Sequence, residues 1–213
     1  MSTGFVRETS SESRAWAWWP AVPADATNIA CTDSSPGATL PVMASDSWRG
    51  KWALVTGASS GIGAALAEEL AAGGAHLVLT ARRARRLAKL RHRLQAAYDV
   101  RIEVLPGDLA QPKTPTEIFS FTQERGITVD LLVNNAGVGS YGAFRASDRQ
   151  RELGIIQLNC SALVHLTHLY LLDMVERRSG AILTVSSLRH TRVCPTWPPT
   201  PQAKGSAYSS PRR

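Results

Sequence analysis

The chain has 213 residues, 44% of them apolar and 19% charged, with a formal net charge of +7. That balance is one of a soluble globular protein, and the length suits one domain with ragged ends. Three cysteines, Cys31, Cys160 and Cys194, form no CxxC pair and are odd in number, which argues against a metal site and against a disulfide framework.

The charge would suit nucleic acid if it lay on one face. Much of it falls instead in "RRARRLAKLRHR", Arg82 to Arg93, where Leu87, Leu90 and Leu94 keep helical spacing. A solvated basic face on an amphipathic helix is expected there, with no nucleic-acid partner. No apolar run approaches the roughly 18 residues needed to span a membrane. Glu8 and Glu12 stand where a signal peptide wants only positive charge, so a cytoplasmic chain without membrane contact is expected.

Residues 1–47 are rich in Ser, Thr, Ala and Pro, with "AWAWWP" as their one dense apolar patch, and are expected to form a disordered arm. Organised sequence begins just after Met43. Trp52–Thr56 predicts a short buried strand. Ile62, Leu66 and Leu70 mark a helix face that stops at Gly73-Gly74. His76–Thr80 is the second strand, the basic helix follows, and Ile102–Leu105 is the third. Thr114-Pro115-x-Glu117 reads as a capping box with proline at the first helical position. "VDLLVNN" is the fourth strand. Ser147 with Gln150 opens a long helix to about Arg178, and "AILTVSS" is the fifth strand. Continuous apolar strands alternating with helices predict an α/β fold with a parallel sheet covered on both faces.

"TGASSGIG", Thr56 to Gly63, lies where the first strand gives way to a helix. Glycine is needed where backbone turns tightly and approaches a pyrophosphate, and the helix N-terminus offers N–H groups to the phosphates. An ordinary tight turn is the plain alternative. The spacing Gly57-x3-Gly61-x-Gly63 differs from GxGxxG. It resembles the short-chain dehydrogenase/reductase family, as do Asp108 in "GDL", "NNAG" at Asn134 to Gly137, Asn159 in "LN" and Ser187 in "VSS". The resemblance covers about Lys51 to Leu188.

What the resemblance implies is a doubly wound Rossmann-type sheet, incomplete on its C-terminal side, that binds NAD or NADP at its strand ends. Gly57, Ser59, Ser60, Gly61 and Gly63 would line the pyrophosphate, with Ile62 beneath the cofactor. Asp108 would contact adenine, and Asn134, Ala136 and Gly137 would support the fourth strand and the ribose. Asp108 could instead cap a turn, and Asn134 could satisfy buried backbone. Arg82, at the end of the second strand, would accommodate the 2′-phosphate of NADP where an acid would hold the ribose hydroxyls of NAD. NADP is the expected cofactor and NAD the alternative. The partner implied is a small carbonyl or alcohol substrate. In the family Ser187 would hydrogen-bond the reacting oxygen and Asn159 would help relay protons, beside a Tyr-x3-Lys pair that supplies the acid.

That pair usually begins about thirteen residues past the serine. Thirteen past Ser187 stands Thr200, with Lys204 four further on, and the segment between is rich in proline. Read in the frame one base earlier, Arg189 to Lys204 is compatible with "ASYTGVPNLATYAASK", which restores the tyrosine. The expectation is therefore a binding domain over 48–188 and an out-of-frame, irregular tail over 189–213, with impaired catalysis. A dinucleotide-binding regulator or a non-functional remnant is the alternative. The family implies a homo-oligomer, which loss of that segment puts in question for this chain.

Overall fold

The computed structural model describes residues 48–186. Its five strands are β1 (Trp52–Thr56), β2 (His76–Ala81), β3 (Ile102–Pro106), β4 (Val129–Asn134) and β5 (Ala181–Thr184). They pair in the order β3-β2-β1-β4-β5, and every pairing is parallel. The doubly wound topology follows the expectation, and the first four strands end within a residue of it; β5 stops at Thr184, short of the expected "AILTVSS".

Because successive side chains of a strand point to opposite faces, each apolar strand supplies two cores. On one face Ala53, Val55, Leu77, Leu79, Leu131 and Val133 meet α1 (Gly61–Ala72) and α2 (Ala84–Ala97). On the other, Leu54, Val78 and Leu132 meet α3 (Thr114–Glu124) and α5 (Ala162–Glu176). Leu87, Leu90 and Leu94 are the buried row of α2, and the arginines between them are mostly exposed, as the spacing predicts. The first helix differs: its buried row is Gly63, Ala67, Leu70 and Ala71, Leu66 is half-buried, and Ile62 is 61% exposed. Small residues let α1 lie close to the sheet, and Ile62 is turned out to another use.

Two predicted caps are not made. Thr114 is buried in the first turn of α3 and no side chain caps that helix, while Lys113 reaches Glu117 at 3.0 Å. The long helix is capped by Asp148, whose Oδ1 accepts from the Arg151 N–H at 2.7 Å, while Ser147 Oγ donates to the Phe144 carbonyl. An aspartate beside a serine is the better cap when it also carries the negative charge that a helix N-terminus favours.

That helix runs as α4 (Arg149–Ile156), a π-helical stretch Gln157–Ser161 and then α5. Its full span, Arg149–Glu176, contains an 18-residue window of mean hydropathy 1.3 and is by length and composition long enough to cross a membrane, which contiguous apolar runs did not predict. Leu158, Ala162, Leu166, Tyr170 and Met174 are nonetheless packed in the second core. Arg177 anchors the helix end, donating from Nη1 to Asp130 Oδ1 at 2.8 Å.

Candidate functional site

The chain steps outward from β1 to β2 and β3, then returns to place β4 beside β1. In an open α/β sheet such a reversal leaves a crevice at the carboxyl ends of the strands. A cavity of about 510 Å³ opens there, lined by the loops that follow β1, β2, β3 and β4 and by the end of β5.

Thr56 holds two of those loops together. Its buried Oγ1 donates to the Val133 carbonyl at 3.1 Å and accepts from the N–H groups of Asn135 and Ala136, each at 3.0 Å. Asn135 Nδ2 returns a bond to the Thr56 carbonyl at 2.9 Å. This close approach explains two glycines. A Cβ on Gly63 would stand 2.4 Å from Asn135 Nδ2 and 2.6 Å from the Gly57 carbonyl oxygen, and one on Gly57 would meet Ala136 Cα at 2.9 Å. Gly57 also has φ of +69°, in the left-handed region. Gly61 and Gly63 shape the turn and do not line the cavity; Gly57, Ser59, Ser60 and Ile62 do.

Ser60 is the N-cap residue of α1, yet no side chain caps the helix and its first turn holds no acid. The Ser60 hydroxyl accepts instead from Arg83 Nη2 at 2.6 Å, and Ser59 Oγ accepts from Arg83 Nε and Nη2 at 3.2 and 2.9 Å. The leading N–H groups of α1 thus keep their capacity for an anion. Arg82 and Arg83 both line the cavity.

Asp108 lines it too, and its Oδ1 also accepts from the Ala110 N–H at 3.0 Å, so one carboxylate oxygen fixes the turn after β3. Asn134 is 3% exposed and donates from Nδ2 to Thr167 Oγ1 at 3.0 Å, tying β4 to α5 away from the cavity. Ala136 and Gly137 border the cavity beside Asn135. Asn159, in the π-helical stretch, spends both ends of its amide on one residue. Oδ1 accepts from the Val138 N–H at 3.1 Å, and Nδ2 donates to the Val138 carbonyl at 2.8 Å. A π turn inserted in an α-helix often marks a functional site. Here it carries the side chain that pins the loop after β4. Val185 and Ser186 form the last described part of the wall; Ser187 and the segment to Arg213 lie outside the described residues.

Arg83, Asn135 and Thr56 were not singled out from sequence. Each sits beside a residue that was, and only the fold shows which of two neighbours faces the cavity. The cavity suits a dinucleotide: it offers an uncapped helix N-terminus, backbone that no Cβ could occupy, and two arginines at the β2 edge.

Over residues 51–207 the chain matches the family model of the short chain dehydrogenases, a match that runs past Leu188 into the proline-rich tail. The chain belongs to that family. It is 35% identical over 138 residues to an uncharacterized oxidoreductase of Staphylococcus saprophyticus, covering 65% of this chain and 59% of that one. Its fold is similar to the 3-oxoacyl (acyl-carrier-protein) reductase of Agrobacterium tumefaciens solved with NADP bound, with TM-score 0.68 and 30% identity over 75% of this chain and 61% of that one. It is likewise similar to L-sorbose reductase of Gluconobacter frateurii complexed with NADPH and L-sorbose, with TM-score 0.69 and 32% identity, covering 74% and 60%. The chain therefore spans about three fifths of the length of these relatives.

Proposed function

We propose that the chain is an NAD(P)-dependent oxidoreductase of the short-chain type, which binds NADP in the cavity and interconverts a small carbonyl compound and its alcohol. The observation that carries this reading is the uncapped N-terminus of α1 opening on a cavity that two arginines flank at the end of β2. Similar proteins solved with NADP or NADPH bound support it. Bound there, the dinucleotide would supply or accept the hydride. The N–H groups of α1 would take the pyrophosphate, Arg82 the 2′-phosphate and Asp108 the adenine edge. Asn159 would keep the Val138 loop in place through its two amide bonds. Ser187 would hold the reacting oxygen.

The acid that completes this chemistry in the family has no counterpart at position 200, where the sequence has threonine. We therefore expect binding without efficient turnover from the 213-residue chain, and this one observation favours a second reading, a dinucleotide-binding regulator. Titration with NADPH and NADH tests the first part: NADPH should bind more tightly, and Arg82→Asp should reverse the order, because a carboxylate repels the 2′-phosphate. Equal affinities would remove Arg82 from the site. Turnover of NADPH with aldehydes and ketones tests the second part. A positioned general acid contributes about 10²- to 10⁴-fold, so rapid turnover by this chain would contradict the impairment.

A further inference from the structure

Helix α2 packs as its leucine spacing predicts, but its charge is not balanced as that of a solvated face commonly is. From Arg82 to Tyr98 the chain has seven Lys and Arg and no acid. Elsewhere in residues 48–186 ten Lys and Arg stand against twelve Asp and Glu, so the positive excess of the described residues lies wholly on this one stretch. A helix that only faces water tends to alternate charges of both signs.

Arg85, Arg86, Lys89 and Arg93 are all exposed. Positions three and four apart are neighbours on a helix, so Arg85 and Arg86 lie one turn before Lys89, and Arg93 one turn after it. The four form one outward ridge about 12 Å long. Like charges at that spacing repel, and among the described residues only Arg93 of the four has an ion-pair partner. That partner is Glu68 of α1, taken side-on: Arg93 Nη1 donates to Oε1 at 2.8 Å and Nη2 to Oε2 at 3.0 Å. The fork shows how this ridge receives a carboxylate presented by a helix lying alongside.

We infer that the outward ridge of α2 is a docking surface for an acidic helical segment of a partner protein. The inference goes beyond the oxidoreductase reading and does not rest on it, because none of the four residues lines the cavity. Carboxylates spaced three, four and seven residues apart on the partner helix would meet Arg85, Arg86 and Lys89 as Glu68 meets Arg93. Two other polyanions fit this face less well. A helix that lies on an anionic bilayer sinks apolar side chains into it. Here Leu87, Leu90 and Leu94 are buried, and none of the exposed large apolar side chains among the described residues belongs to α2. Single-stranded nucleic acid is held by stacking its bases on aromatic rings as well as by cations, and α2 carries no Phe, Tyr or Trp.

Fluorescence anisotropy of the 213-residue chain with a labelled helical peptide tests this, the peptide carrying Glu at three positions along one face. A peptide with Gln at the same positions, a duplex DNA and vesicles containing phosphatidylserine serve as the other probes. The Glu peptide should bind more tightly than any of them, and its affinity should fall as salt rises. The double variant Arg86→Glu, Lys89→Glu sets like charges against the peptide and should lower its affinity about tenfold or more. Both side chains are exposed, so the midpoint of denaturant unfolding should stay where it is and show that the variant is folded. The double variant Arg149→Glu, Arg178→Glu changes the net charge equally at two other exposed positions and should weaken binding by less than about twofold. Equal losses in the two double variants, or equal binding of the Glu and Gln peptides, would reduce the effect to net charge alone and overturn the inference. A Glu peptide that does not bind overturns it as well, and tighter binding of the duplex or the vesicles overturns it in favour of that polyanion.

Discussion

The sheet is apolar throughout, yet its two sides end in different states of burial. On the β1–β2 side the interior residues of both strands are buried, and α1 and α2 close over them with Ala67, Leu70, Leu87 and Leu94. On the β5 side all four strand residues are only half-buried, and the long helix leaves Leu153, Ile156, Val164, Leu172 and Val175 exposed. The contrast separates the two halves of the site. The loops proposed to meet the nucleotide are anchored to the closed side by Thr56, Asn135 and the glycines, whereas the wall at Val185 and Ser186 rests on the open side. In the proposed reading, the loops that meet the nucleotide are therefore held by interactions that do not involve β5, and only the reacting end would depend on it.

The sharpest way to break this comparison is to truncate one leucine on each side. Leu79 is fully buried in β2, so Leu79→Ala should cost about 3 kcal/mol through lost transfer and a residual cavity. Leu172 is 60% exposed, and Leu172→Ala should stay within about 0.5 kcal/mol. Denaturant unfolding of the two variants compares them directly, and similar losses would mean that the open side is covered in solution. The next effect is smaller in stability and larger in function. In Gly63→Ala the new methyl group would press on the Gly57 carbonyl and on Asn135, costing about 2 kcal/mol. It should also displace the loop enough to abolish NADPH binding, whereas Gly139→Ala, where a Cβ meets nothing within 4 Å, should leave stability unchanged.

The smallest effect concerns the join between α3 and α5. Burial pushes the Tyr170 hydroxyl up to about 12, against the smaller downward pull of its bond with Thr122. Tyr170 and Thr122 oxygens are 3.0 Å apart. A raised folded-state value means that the neutral phenol contributes its full stability below the ordinary 10.0 and loses it as pH rises through about 12. Tyr170→Phe should cost about 1 kcal/mol at neutral pH by leaving Thr122 without that partner. It should also flatten the fall in melting temperature between pH 10 and 12; an identical alkaline fall in both proteins would assign it to other groups.

The strands were legible because each is a continuous apolar run bounded by glycine or polar residues, and a run buried on both faces needs no finer pattern to be recognised. Leu87, Leu90 and Leu94 were legible because their spacing has one helical solution. What stayed hidden depends on single-residue choices between similar neighbours. Ser147 and Asp148 can both cap, and the charge decides. Asn134 and Asn135 alternate across the end of a strand, so one bonds Thr167 and the other Thr56. Arg83 was lost in a run of arginines because no periodicity marks an arginine that turns back toward a loop. The π-helical stretch was invisible for a related reason: one widened turn inside a long apolar helix leaves the pattern of burial on either side almost unchanged.

Hydrogen exchange of the 213-residue chain with and without NADPH tests the central claim most directly, because it locates binding without requiring catalysis. The account predicts added protection in residues 57–63, 82–87, 108–110 and 135–138, with no change along the exposed face of the helix around Leu172. Protection confined to that helix, or none in the four loops at saturating NADPH, would contradict it.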